Sequence, residues 1–86
     1  MLYFCYLMEC SDGTYYCGIT TDREKRLKQH NQGSASKYTR ARRPVKMVYS
    51  EEQPNRSAAL RREKAIKKMP RLKKKELITG YVHDRS

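Results

Sequence analysis

Tryptophan is missing from this 86-residue sequence, phenylalanine occurs once, and only nine acids stand against twenty Lys and Arg. With 37% hydrophobic residues and a mean hydropathy of -1.02, the core must come from a few strands and two or three amphipathic helices. A large enclosed pocket is excluded. The three cysteines, Cys5, Cys10 and Cys17, are odd in number and show neither C-x-x-C spacing nor a matching histidine pair. They argue against a disulfide framework or a zinc site, and read as reduced, small apolar residues. The longest apolar run, Met1 to Met8, has no basic flank and meets Glu9 too early for a signal peptide or a spanning helix. The expectation is a cytoplasmic protein with no membrane association. No internal repeat, low-complexity tract or linker interrupts the chain. A single domain over residues 1–80 is expected, with a disordered tail over 81–86.

What is present is positive charge, unevenly placed. Residues 1–55 hold nine Lys/Arg against six Asp/Glu, and residues 56–86 hold eleven against three, for a net charge of +11. A basic half of this kind suits a polyanion, most often nucleic acid, because each neutralised phosphate releases condensed counterions.

Tyr3-Phe4-Cys5-Tyr6-Leu7-Met8 and Thr14-Tyr15-Tyr16-Cys17-Gly18-Ile19-Thr20 are rich in β-favouring residues on either side of Ser11-Asp12-Gly13. A two-residue Asp12-Gly13 turn would place Tyr6 and Tyr16 on opposite faces. A three-residue loop, with Gly13 in the left-handed position of a G1 bulge, pairs Met8 with Tyr16 and puts both tyrosines on one face. The three-residue loop is the one expected.

Thr21 or Asp22 caps a polar helix running to about Gln32 and stopped at Gly33. Arg23, Arg26 and His30 share one side of it, at i, i+3 and i+7. Residues 33–44 read as a basic loop with one helical turn, and its cations Lys37, Arg40, Arg42 and Arg43, with Arg23, are candidates for holding a nucleic-acid backbone. Val45 to Ser50 reads as a third strand in which Val45, Met47 and Tyr49 share a face. Asn55 or Ser57 caps a helix whose apolar stripe of Ala59, Leu60, Ile66 and Met69 includes one carboxylate, Glu63, out of pattern. Pro70 starts a short last helix that packs through Leu72, Leu77 and Ile78.

Two tyrosines on one sheet face, an Arg/His helix side and one inward-facing acid suit phosphodiester hydrolysis. A metal held by Glu63 would polarise the phosphate and lower the pKa of a bound water, and Arg26 would neutralise charge on the oxygens. Either tyrosine could relay the proton of the attacking water. The bland alternatives are core tyrosines with satisfied hydroxyls, a helix-end histidine favoured by the macrodipole, and a Glu63–Lys67 surface pair.

Phe4-Cys5-Tyr6, then Tyr16-Cys17-Gly18, Arg26, His30-Asn31 and Glu63 together resemble the GIY-YIG nuclease family, named for its Gly-Ile-Tyr and Tyr-Ile-Gly motifs. Gly18-Ile-Thr-Thr-Asp22, Lys37-Tyr38-Thr39-Arg40 and Ser57-Ala58-Ala59-Leu60-Arg61-Arg62-Glu63 look like its small stand-alone bacterial branch. The resemblance implies an α+β fold, a three-stranded antiparallel sheet flanked by helices in the order β-β-α-β-α-α. It also implies an endonuclease cleaving DNA in repair, recombination or processing, with one Mg2+ or Mn2+ ion. Tyr6 and Tyr16 become the phenols near water and phosphate, Arg26 the phosphate cation, His30 a supporting or orienting group, Glu63 the metal ligand and Gly18 a structural glycine. The motifs depart from the family at Phe4, Cys5 and Cys17, which alters packing more than chemistry. Members with a specific target usually carry a second nucleic-acid-binding domain, so a protein partner is expected to supply specificity here. A non-catalytic module of the same fold, binding DNA or structured RNA, is the alternative.

Overall fold

A computed structural model describes residues 1–85, with side chains through Tyr81. Strand β1 (Tyr3–Glu9) and strand β2 (Tyr15–Thr20) form the hairpin, followed by helix α1 (Arg23–Gln32), a short helix α2 (Lys37–Arg40), strand β3 (Lys46–Gln53), and helices α3 (Arg56–Lys67) and α4 (Arg71–Arg85). The antiparallel sheet has the order β2-β1-β3, which puts β1 at its centre.

The hairpin register is the one that the three-residue loop demands. Met8 pairs with Tyr16, and Gly13 has φ of 83°, the left-handed conformation open to glycine. Asp12 locks the loop by accepting from the Thr14 amide at 3.1 Å and its hydroxyl at 2.7 Å. Asp22 caps α1, Asn55 caps α3, and Gly33 ends α1. The helical turn expected within residues 33–44 is α2, capped by Ser36.

Four expectations are corrected. Strand β3 runs to Gln53 rather than Ser50, because β1 offers pairing partners as far as Tyr3. A bulge lies between Leu7 and Met8, where Leu7 opposes Tyr49 and Met8 opposes Met47. The extra residue, Val48, breaks the alternation, so Tyr49 lies on the opposite face from Met47 and Val45. Helix α4 continues past Gly80 into the span expected as a tail, with Tyr81 packed edge-to-face on Tyr49 at 5.5 Å; Ser86 lies outside the described residues. Leu72, expected to pack inward, is 74% exposed, because at five residues' spacing it lies on a different side of α4 from Leu77, which with Ile78 reaches the core.

Apolar clusters form on both sides of the sheet. Cys5, Leu7, Cys17 and Ile66 meet α3 and α4; Tyr6, Met8, Cys10 and Val45 meet Leu27 of α1. All three cysteines are buried and free. Helix α3 is further tied to β3 by Arg62, whose Nε lies 3.0 Å from both oxygens of Glu51. Tyr49 donates to the same carboxylate at 2.6 Å, and burial together with that bond pushes its phenol up to about 12. No helix among the described residues is long and apolar enough to cross a membrane.

Ile66 is fully buried at the junction of α3 with the sheet. Ile66→Ala is expected to cost about 2–5 kcal/mol in urea unfolding followed by circular dichroism. A loss below about 1 kcal/mol would mean that α3 is not held by this contact.

Candidate active site

Alternation along β1 and β2 sends Tyr6, Met8, Tyr16 and Gly18 to the face covered by α1. Tyr6 stands opposite Gly18 and diagonal to Tyr16. This leaves the Tyr6 ring lying over a residue without a side chain: a Cβ at Gly18 would overlap the Tyr6 hydroxyl and Cζ. Gly18 is therefore needed for close approach.

The next component is His30, which Leu27 brings onto the sheet by anchoring the same helix. His30 is 1% exposed, with Nε2 3.0 Å from the Tyr6 hydroxyl and Nδ1 2.7 Å from Thr39 Oγ1. The Thr39 hydroxyl also lies 3.3 Å from the Ser36 carbonyl, so one hydroxyl bridges the His30 ring and the start of α2. Burial, with a smaller contribution from Arg26, depresses the His30 pKa to about 4, so the ring is neutral at pH 7. Burial also raises the Tyr6 phenol, and Arg26 partly opposes that rise. Arg26 thus projects its charge onto both groups.

Tyr16 is held from outside. Its ring stacks on Tyr38 of α2 at 5.9 Å and meets His30 edge-on at 5.2 Å. The Arg42 guanidinium covers Tyr38 at 3.8 Å from the ring centre and pairs with Asp12 at 3.0 Å. The hairpin tip, through Asp12, Arg42 and Tyr38, therefore braces the tyrosine near the start of β2.

Glu63 reaches the cleft from α3. Tyr6, Tyr16, Gly18, Arg26, His30 and Glu63 line one cleft of about 240 Å³, with Ile19, Ala35, Arg56 and Leu60. All six of the chemical and structural positions singled out in the sequence converge there. Glu63 also makes the i,i+4 contact with Lys67, at 3.6 Å, so its functional and bland readings coexist in one geometry. Leu60, expected to be buried, is 38% exposed, because its face of α3 borders the cleft rather than the core.

None of the five residues expected to hold a backbone lines this cleft. Arg23 lies over Phe4 at 4.2 Å and donates to Ser50 at 2.9 Å. Arg43 donates to the Arg40 and Asn31 carbonyls, and Arg42 is bound to Asp12 and the Tyr38 carbonyl. Lys37 and Arg40 face solvent. Sequence reasoning missed two residues, Thr39 and Arg56. Arg56 shares a helical face with Leu60 and Glu63, at i, i+4 and i+7, a spacing that could have found it. Thr39 carried no such signal, because its role depends on a contact with His30 nine residues away.

A residue set of this kind has a known counterpart. The model of the GIY-YIG catalytic domain matches residues 2–76, and the chain belongs to the GIY-YIG family, a family of nucleases. It is similar to UPF0213 proteins. One from Halobacterium salinarum is 49% identical over 72 residues, covering 84% of this chain and 94% of the relative. Another, from Streptococcus sanguinis, is 43% identical over 83 residues, covering 96% and 91%. The solution NMR structure of a UPF0213 protein from Bacillus halodurans matches with a TM-score of 0.58 at 39% identity, over 92% of this chain and 84% of that one. That of an E. faecalis protein matches with a TM-score of 0.63 at 37% identity, over 94% and 86%.

The His30 geometry sets a pH dependence. Its folded pKa, about 4, lies below the usual histidine value of 6.5, so the unfolded chain binds the proton more readily between those values. The contribution is full above pH 6.5 and is lost as pH falls towards 4, amounting to about 3 kcal/mol at most. Thermal unfolding from pH 7.5 to 4.5 is expected to show this loss, and His30→Gln to flatten it. An equally steep acid limb in the variant would refute the assignment. Gly18→Ala is expected to destabilise by roughly 1–3 kcal/mol through overpacking against Tyr6, measured in the same way.

Proposed function

We propose that this protein is a divalent-metal-dependent endonuclease that hydrolyses phosphodiester bonds in branched or single-stranded DNA, in repair, recombination or a related processing step. The observation that carries this reading is the convergence of Tyr6, Tyr16, Arg26, His30 and Glu63, drawn from four elements, on one cleft. Three buried free thiols fit a reducing, cytoplasmic setting.

Glu63 is the sole carboxylate lining the cleft, and no group of three or more metal-ligating side chains occurs among the described residues. That donor set fits Mg2+ or Mn2+, hard ions commonly held by one or two carboxylates with waters and substrate phosphates completing the shell. Bound at Glu63, such an ion would supply Lewis-acid neutralisation of the phosphoryl oxygens.

The remaining work falls to the side chains. Arg26 neutralises charge growing on the non-bridging oxygens. Tyr6 donates its proton to His30 Nε2, so its oxygen lone pairs are free to accept from the attacking water. As the water oxygen bonds to phosphorus and the bond to the sugar oxygen breaks, the water proton passes to Tyr6, the Tyr6 proton to His30, and the leaving sugar oxygen takes a proton from solvent water. A phosphodiester in the cleft offsets the Arg26 charge and raises the proton affinity of His30, which is otherwise low. Thr39 holds the ring through Nδ1. Tyr16, braced by Tyr38, offers its hydroxyl to the phosphate. The Glu63–Lys67 contact favours a second reading, a non-catalytic DNA- or RNA-binding module in which this carboxylate is permanently paired.

Nicking of flaps, junctions and single strands is expected with Mg2+ or Mn2+ and is expected to vanish in chelator. Glu63→Ala, Arg26→Ala and Tyr6→Phe are each expected to lower the rate by about 100-fold or more. Undiminished nicking in both Glu63→Ala and Tyr6→Phe would refute the mechanism. Binding without nicking by the unaltered protein would favour the second reading.

A further inference from the structure

The cleft does not end at Glu63. Arg56, Leu60, Glu63 and Lys67 follow one another at i, i+4, i+7 and i+11 along α3, so they form a single stripe, and the first three line the cleft. Lys67 carries the stripe beyond it, with its Nζ 3.6 Å from Glu63 and its side chain 55% exposed. Arg71 opens α4 just past that point and lies 4.6 Å over the ring of Tyr15. Tyr15 belongs to β2, an outer strand of the sheet and the one that supplies Tyr16 and Gly18. Lys74, one turn further, is half-buried. Lys67 adjoins the cleft through Glu63, whereas Arg71 lies against Tyr15 on the opposite face of β2 from Tyr16, with Lys74 one turn further along α4, so the three lead from the cleft around the β2 edge.

The charge on this stretch is nearly of one sign. Residues 56–75 hold ten Lys/Arg and one acid, Glu63, which belongs to the cleft. The stripe is also distinct from Arg62, which points to Glu51 on β3. From Arg56 to Lys67 it spans about 16 Å at 1.5 Å per residue. That length matches about five nucleotides at a rise of ~3.4 Å each, a path rather than a point contact.

We infer that Lys67, Arg71 and Lys74 form a track for the DNA backbone as it leaves the cleft along the β2 edge. The inference rests on the endonuclease reading for the placement of the scissile phosphate. The track supplies non-specific grip within the same domain. Lys67 and Arg71 are exposed and Lys74 is half-buried, and all three can neutralise phosphates without reading bases.

The test is binding of a fluorescein-labelled DNA flap, followed by anisotropy in chelator across a range of salt. Lys67→Gln/Arg71→Gln/Lys74→Gln is expected to weaken binding by about 10-fold or more at low salt and to reduce the slope of log affinity against log salt by about 2–3. The comparison protein, Lys25→Gln/Lys28→Gln/Lys46→Gln, loses the same charge from exposed positions on α1 and β3, and its slope is expected to change by less than about 1. Lys67→Arg/Arg71→Lys/Lys74→Arg is expected to retain the unaltered slope. Equal weakening in the two glutamine triples, or an unchanged slope in the first, would overturn the track. Because chelator removes chemistry from the measurement, a protein that binds as expected but never nicks with metal would overturn the nuclease reading and leave the track standing.

Discussion

The pairing of β1 with β2 admits no slip, because a strand presents alternate side chains to opposite faces and one residue of register would exchange those faces completely. Gly13 in the left-handed conformation and Asp12 bonded to Thr14 hold the loop at the length that pairs Met8 with Tyr16. Every later feature of the site inherits that choice. Tyr6 faces α1 rather than α3, Gly18 falls opposite it, and His30 finds a phenol within 3.0 Å. The same loop reaches outward through Asp12 to Arg42 and Tyr38, so the hairpin tip that sets register also supports the ring of Tyr16.

Electrostatics divide the molecule differently from its packing. Most of the cations lie on exposed surfaces, where attraction to a polyanion is long-ranged and falls with salt. At the cleft, burial, reinforced by Arg26, keeps the histidine uncharged, and Arg26 moderates the rise of the buried phenol. A neutral imidazole bonded to a phenol on one side and a threonine on the other is suited to orient and accept a proton rather than to bind an anion. In the proposed reaction phosphate recognition would fall to Arg26, with Arg56 at the rim of the cleft.

Much of this was legible along the chain. The strand–loop–strand pattern, the caps at Asp22 and Asn55 and the odd carboxylate in an apolar helical stripe are local signals, decided by conformational preferences within a few residues. The set from Tyr6 to Glu63 was legible because its members sit at fixed spacings on predicted elements, and Glu63 breaks the apolar pattern of its helix. The basic loop was read less well. Arg42 and Arg43 look like free cations in sequence, yet each is bound to carbonyls, and Arg42 also to a carboxylate, contributed by residues brought near only by folding. The alternation of Val45, Met47 and Tyr49 failed for a similar reason, since the bulge at Val48 arises in the pairing of β3 with β1 and not in β3 itself.

Sequence alone determined the elements, their order, the face on which Tyr6 and Tyr16 lie and the sign of the surface charge, because each follows from local geometry or from composition. Tertiary structure decided which charges are available and which are engaged, that His30 is neutral and bonded to Tyr6 and Thr39, and that Arg56 borders the same cleft. Those properties depend on burial and on partners far apart in the chain, and neither exists until the sheet has closed between its helices.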